Sequence, residues 1–172
     1  MDVYEAVRTR LTIREFKSDP VPDEVVDKLL RAVQWAPSSR NRQPWHLVVI
    51  RDRETLRQIG SIASSGRFVA DAPMAIAVAM ENADRPDLDA GRAVQQMELV
   101  AWEEGLGTCF VSLRLAGQDC RIKQLLGIPE SFDLVTVLPF GYRLEESQGR
   151  LGRKNRKSLS DIVYWEKYGE SR

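Results

Sequence analysis

The sequence predicts an α+β protein with one largely internal sheet and helices packed around it. Three observations carry that reading. Four short apolar runs have strand-like length and composition, amphipathic helical stretches alternate with them, and the length of 172 residues suits one domain over 1–172. A chain of that size buries about two thirds of the surface its unfolded form exposes, so no disulfide or metal is needed for stability. These observations leave strand direction open.

Asp2 caps a first short helix whose stripe is Val3, Ala6 and Val7. Pro22 opens a second, with Asp23 and Glu24 in its first turn and Val25, Val26, Leu29, Leu30 and Val33 as its apolar face, ending before Pro37. Leu47–Ile50 reads as a buried strand by length and β-branching. Asp52 then caps a helix with Leu56, Ile59 and Ala63 on its core side, and Met74–Met80 reads as a central strand.

The polar stretch Glu81 to Asp87 is expected to be a loop before a long helix. Ala90, Ala93, Met97, Val100 and Ala101 form that helix's more apolar side, Leu88, Gly91, Val94, Gln95 and Glu98 the other, and Gly105 and Gly107 end it. Thr108–Val111 is the third expected strand, Ile122–Gly127 a short glycine-closed helix, and Leu134–Leu138 the fourth strand. Ser158 and Asp161 make a capping box opening a last helix through Leu159, Ile162, Val163 and Trp165.

Composition narrows function. Twenty-five basic residues balance 25 acidic ones, so no overall field draws in nucleic acid or an anionic membrane. No apolar run reaches the ~20 residues of a bilayer span and Met1–Glu5 lacks a signal-peptide pattern, so the expected address is cytoplasmic. Cys109 and Cys120 read as structural thiols, without a CxxC pair or a nearby His to make a metal set. His46, the single histidine, reads as a packing or hydrogen-bonding residue. Trp35, Trp45, Trp102 and Trp165 are expected in the core or at an interface, and Phe68, Phe110 and Phe140 in the core. There is no Gly-x-Gly-x-x-Gly, no phosphate loop ending in Gly-Lys-Ser/Thr and no Gly-x-Ser-x-Gly elbow, which disfavours a Rossmann dehydrogenase, a P-loop ATPase and an ordinary serine hydrolase.

What the chain has instead is Ala36-Pro37-Ser38-Ser39-Arg40-Asn41-Arg42-Gln43-Pro44-Trp45, a connector dense in hydroxyl and amide groups between two prolines that fix its backbone. It reads as a binding surface. Two basic clusters, Arg8–Arg14 and Arg150–Lys157, could converge on a phosphate, where Arg offers a planar fork and Lys a point charge. Each cluster alone would be a solvated face. Ser61, Ser64 and Ser65 read as a helix end or loop, with Ser65 or Arg67 touching a ligand as the alternative.

Taken in order, these segments resemble the short form of the FMN-dependent nitroreductases. Arg10-Leu11-Thr12-Ile13-Arg14-Glu15-Phe16 is similar to the family's Arg-Arg-Ser-x-Arg-x-Phe opening, and the Ala-Pro-Ser-Ser-x-Asn-x-Gln-Pro-Trp loop is the most specific match. Asp71-Ala72-Pro73, Gly105–Phe110, Leu138–Tyr142 and the basic tail extend the resemblance over nearly the whole chain. It implies a three-layer α/β/α sandwich, a central mixed but mostly antiparallel sheet, and an intertwined homodimer with two flavins at its interface.

On this resemblance Arg10 and Thr12, with Leu11 between them, meet the FMN phosphate, and Arg14 reaches the ribityl chain or pyrimidine edge. Lys154 and Arg156 close the phosphate site; Pro37, Ser38, Ser39 and Asn41 approach from the partner subunit; and Ser112, Leu113 and Arg114 lie against the isoalloxazine with a backbone N–H facing N5. The implied activity is hydride transfer from NADH or NADPH to the flavin, then ping-pong reduction of a nitroaromatic, quinone or related small-molecule acceptor. No protein acid or nucleophile is required, because the flavin carries the reactivity. Leu11 and Thr12 depart from the family's opening, and the short Glu81–Asp87 segment leaves little to cover the flavin. These departures motivate an alternative, a module that stores, senses or processes FMN without general reductase activity; a third reading is a scaffold whose basic clusters bind protein or nucleic acid.

Overall fold

The computed structural model describes residues 1–81, 85–113, 115, 117–145 and 155–170. Helix α1 spans Val3–Thr9, α2 Asp23–Gln34, α3 Arg53–Ile62, α4 Pro86–Glu103 and α5 Gln118–Leu126; strands are β1 Trp45–Ile50, β2 Met74–Met80, β3 Leu106–Thr108 and β4 Asp133–Tyr142. The strands are ordered β1-β2-β4-β3 with every neighbouring pair antiparallel. One parallel bridge, Thr12 to Thr108, adds the mixed character at the β3 edge.

The pleat of β2 divides the interior in two. Met74, Ile76, Val78 and Met80 point to one side, where α2 and α4 cover them with Leu29, Val33, Ala93 and Met97. Ala75, Ala77 and Ala79 point to the other, against Leu56 and Ile59 of α3 and Ile122 of α5. Because side chains alternate faces along a strand, this Met/Ile/Val against Ala segregation is what a strand between two helical layers requires. The result is the three-layer sandwich the resemblance implies. A third cluster, Ala6, Ile13 and Trp102, fixes α1 and the segment after it to α4.

The caps at Asp2 and Asp52 form as read, accepting from the backbone N–H of Glu5 at 2.7 Å and of Thr55 at 2.8 Å. Several expectations need correction. Strand β1 is a half-buried edge strand with Val49 exposed, since one flank has no partner strand among the described residues. Thr108–Val111 is not a strand: β3 ends at Thr108 and the chain leaves the sheet as a loop, while β4 runs four residues beyond Leu138 to pair with β3. Gly105, at φ 82°, does end the region of α4, but Gly107 lies inside β3. Its role there is steric, because a Cβ on Gly107 would stand 2.5 Å from that of Ile13. Helix α5 starts four residues earlier than expected, and the Ser158/Asp161 capping box opens only a three-residue turn, Leu159–Asp161.

Phe110 is 47% exposed, Trp35 81% and Trp165 43%, so these three are not core residues of the single chain, unlike Phe140 and Trp102. His46 is a hydrogen-bonding residue, its Nε2 standing 3.0 Å from a Glu81 carboxylate oxygen.

Candidate functional site

Residues 10–17 leave α1 as an extended segment laid along the β3 edge. The Ile13 N–H donates to the Thr108 carbonyl at 2.9 Å, Thr12 bridges Thr108 in parallel, and farther on the Lys17 N–H donates to the Tyr142 carbonyl at 2.9 Å. This covers a strand edge that would otherwise present unpaired backbone groups. Residues alternate across such a segment, so Ile13 is buried under it while Thr12 and Arg14 are exposed. A hydroxyl and a guanidinium are thereby held on one face of a fixed backbone.

The loop after β3 forms the adjoining surface. Thr136, fully buried in β4, accepts from the Val111 N–H at 3.2 Å and donates to the Val111 carbonyl at 3.0 Å, pinning the loop's midpoint to the sheet. The Ser65 hydroxyl donates to the Ser112 carbonyl at 2.8 Å, and the Arg14 guanidinium lies over the Phe68 ring, 5.8 Å from its centre. Ser65 thus serves the loop that bears Ser112 and Leu113. Arg114 and Lys154 lie outside the described residues.

Beneath this surface is a charged floor. A carboxylate oxygen of Glu98 in α4 stands 3.5 Å from an Arg10 Nη, with the Glu98 side chain 8% exposed and that of Arg10 25%. Burial pushes the Glu98 carboxyl above the usual carboxylate range, and Arg10 pulls it partly back. Burial likewise raises the Cys109 thiol, opposed by the nearby Arg14 and Arg10 and reinforced by Glu98. The thiol is therefore kept protonated rather than activated. Glu98 and Cys109 were not singled out as site residues from the sequence; the available signal was an acid one residue from Met97, on the margin of an otherwise apolar helix stripe.

The Pro37–Asn41 loop is built separately. The Ser39 N–H donates to both Asp89 carboxylate oxygens at 3.2 Å, with Asp89 buried at the start of α4 and also 3.3 Å from an Arg92 Nη. The Ser38 hydroxyl accepts from the Gln43 N–H at 2.9 Å. Arg40, Asn41 and Gln43 all have left-handed backbones, with φ of 52°, 56° and 51°. Non-glycine residues in that region cost of order 1–3 kcal/mol each, and surrounding structure must hold them there. Asp89 and Glu98 are nine positions apart on one helix, or about 13 Å along its axis at 1.5 Å per residue. Within one chain the loop and the Arg10–Arg14 wall are thus anchored at different heights of α4. Arg156 stands in a tail exposed throughout 155–170, one Nη donating to the Asn155 carbonyl at 3.0 Å.

Fold and site together define an α+β sandwich with a cationic, backbone-fixed wall at one sheet edge and a second, strained polar loop elsewhere on its surface. The nitroreductase family model matches residues 7–85 and 63–142. A relative from Methanothermobacter thermautotrophicus, provisionally named NADH dehydrogenase/NAD(P)H nitroreductase, is 36% identical over 155 residues, covering 84% of this chain and 79% of its own. An FMN-dependent nitroreductase from Clostridium difficile superposes with a TM-score of 0.83 at 27% identity, over 96% of this chain and 99% of that one. A Parabacteroides distasonis protein with the same provisional name as the first relative gives 0.86 at 27% identity, over 94% and 96%. The chain belongs to the nitroreductase family.

Proposed function

We propose that the protein is an FMN-dependent oxidoreductase of 172 residues, a single domain that works as a homodimer and takes its reducing equivalents from NADH or NADPH. The observation that carries this reading is the Arg10–Arg14 segment, hydrogen-bonded through Ile13 to Thr108 and so set beside the pinned Cys109–Leu113 loop. The donor set fits FMN. Two guanidinium groups and a hydroxyl suit a phosphate and a sugar alcohol, and an adjoining loop with exposed Phe110 suits a flat ring system.

FMN, when bound, supplies the hydride and electron transfer by which reducing equivalents pass from the nicotinamide to a nitroaromatic, quinone or related acceptor in ping-pong order. The chain's own task is to hold that group still. Arg10 and Thr12 take the phosphate, Leu11 lies between them, and Arg14 takes the ribityl chain or the pyrimidine edge. Ser112, Leu113 and Arg114 support the ring, and Thr136 and Ser65 hold the loop at Val111 and Ser112. Lys154 and Arg156 close the phosphate end.

Pro37, Ser38, Ser39 and Asn41 serve the second copy's flavin. Their anchorage at Asp89, well along α4 from the Arg10 pair at Glu98, supports a site completed across two subunits. So does the apolar surface one chain leaves in water: Val3 and Trp35 at a groove of about 350 Å³ between α1, α2 and α4, Tyr4 exposed on α1, and Leu159, Ile162 and Tyr168 on the tail. No helix among the described residues is long and apolar enough to cross a membrane, and a cytoplasmic address belongs to the same reading.

Titrating flavin-free protein with FMN, then adding NADH or NADPH anaerobically, tests the proposal. The expected result is stoichiometric uptake followed by rapid bleaching of the flavin band. Absence of FMN binding would sink the reading, and binding without bleaching by either nucleotide would replace it with a flavin-carrying module.

A further inference from the structure

Helix α4 buries two carboxylates, and they are satisfied differently. Asp89 accepts the Ser39 N–H and also stands 3.3 Å from an Arg92 Nη of its own helix, whereas Glu98 faces, among the described residues, only the guanidinium of Arg10, 88 positions away in the chain, at 3.5 Å. The cation facing Glu98 is Arg10 from the end of α1, and Cys109 from the loop after β3 lies near Glu98, Arg10 and Arg14, so the acid sits beside one cation and a protonated thiol. Burying a carboxylate costs desolvation that an apolar side chain of similar volume avoids, and such replacements of buried pairs are often neutral or stabilising. An acid at this position is therefore not explained by packing.

Its contact with Arg10 is one-sided. A guanidinium carries five N–H donors in a planar fork, and Glu98 engages one terminal nitrogen, leaving the rest of the fork for another acceptor. Arg10 is the C-cap of α1, past the last helical turn. An arginine side chain ordered there gives up much of its rotamer freedom.

We propose that Glu98 is a positioning residue for the cofactor site: its carboxylate anchors one nitrogen of Arg10 so that the remaining donors face the FMN phosphate. The proposal rests on the reading that Arg10 binds that phosphate. It assigns Glu98 no contact with the flavin itself.

The test compares FMN with riboflavin, which lacks the phosphate, by quenching of flavin fluorescence on flavin-free protein. Glu98→Met keeps volume and loses the acceptor; Glu98→Gln keeps an acceptor oxygen; Arg10→Ala removes the anchored group. Glu98→Met is expected to weaken FMN about tenfold, or 1.4 kcal/mol, with riboflavin unchanged, and Glu98→Gln to restore FMN affinity to within about threefold of wild type. In an Arg10→Ala background Glu98→Met should have no further effect. Equal losses for FMN and riboflavin would mean a structural role and overturn the proposal, as would an unchanged FMN affinity in Glu98→Met. If Arg10→Ala leaves the FMN-to-riboflavin ratio at the wild-type value, the phosphate assignment has failed and the positioning role falls with it. Should Glu98→Met not fold by thermal melting, Glu98→Ala takes its place with the same expectations.

Discussion

The Arg10–Arg14 segment and the 155–170 tail are both basic or polar stretches without long regular structure, yet one is locked and the other is not. The first is tied to Thr108 through Ile13, and Arg10 is tied to Glu98. The second is exposed at every residue and displays Leu159, Ile162, Val163 and Tyr168. One chain can complete a wall whose anchors lie in its own sheet and helices. It cannot complete a surface whose apolar side chains have nothing of their own to cover.

Cutting the chain after Gly149 is expected to break this comparison most visibly. A monomer by light scattering, with FMN retention weakened roughly a hundredfold, corresponds to about 2.7 kcal/mol of lost contact. A truncated protein that stays dimeric and fully loaded would mean the tail is dispensable. Gly107→Ala attacks the locked wall instead, driving a methyl into Ile13. Overpacking of this kind costs about 1–3 kcal/mol, so the melting temperature should fall by about 3–10 °C, with flavin content falling too. An unshifted melt would show that the Ile13 contact yields easily.

Arg10→Ala removes one charge-assisted contact of about 1.5–3 kcal/mol, hence a loss of about 10- to 100-fold in FMN affinity by fluorescence titration. Arg156→Ala should cost less. The opposite order would move the phosphate site toward the tail. Asp89→Asn weakens the seat of the Ser39 N–H, and a several-fold loss of FMN affinity is expected, of order 1 kcal/mol, visible only in the dimer. The smallest effect is electrostatic. Burial holds the Glu98 carboxyl above its unfolded value, so its contribution to stability is present at low pH and is lost as pH rises through the folded pKa. Glu98→Gln should therefore melt above wild type at pH 8, and the difference should vanish below about pH 4. A constant difference across pH would assign the change to packing.

The elements most legible in the sequence were those whose signals are local. Asp2 and Asp52 cap as read because a cap is a bond to a neighbour three residues on, and β2 reads as central because seven consecutive apolar residues suit only a strand covered on both faces. The miscast elements depend on distant partners. Leu47–Ile50 has the composition of a buried strand, but its place at the sheet edge is set by which strand lies beyond it. The polarity of Ser158–Asp161 signals a cap, but a helix needs something to pack against. Phe110 looks like a core residue in an apolar run, and it is exposed because the chain turns off the sheet at Thr108.

The candidate site divides along the same line. By itself the sequence determined its chemical inventory, in Arg10, Thr12, Arg14 and the Pro37–Asn41 loop, because side-chain type and proline-fixed backbone are properties of neighbouring residues. Only the tertiary structure decided that Ile13 ties this segment to the β3 edge, that Thr136 and Ser65 pin the loop beside it, and that Glu98 lies under Arg10. Those pairings join residues tens of positions apart, and their energies come from burial and geometry that no local pattern encodes.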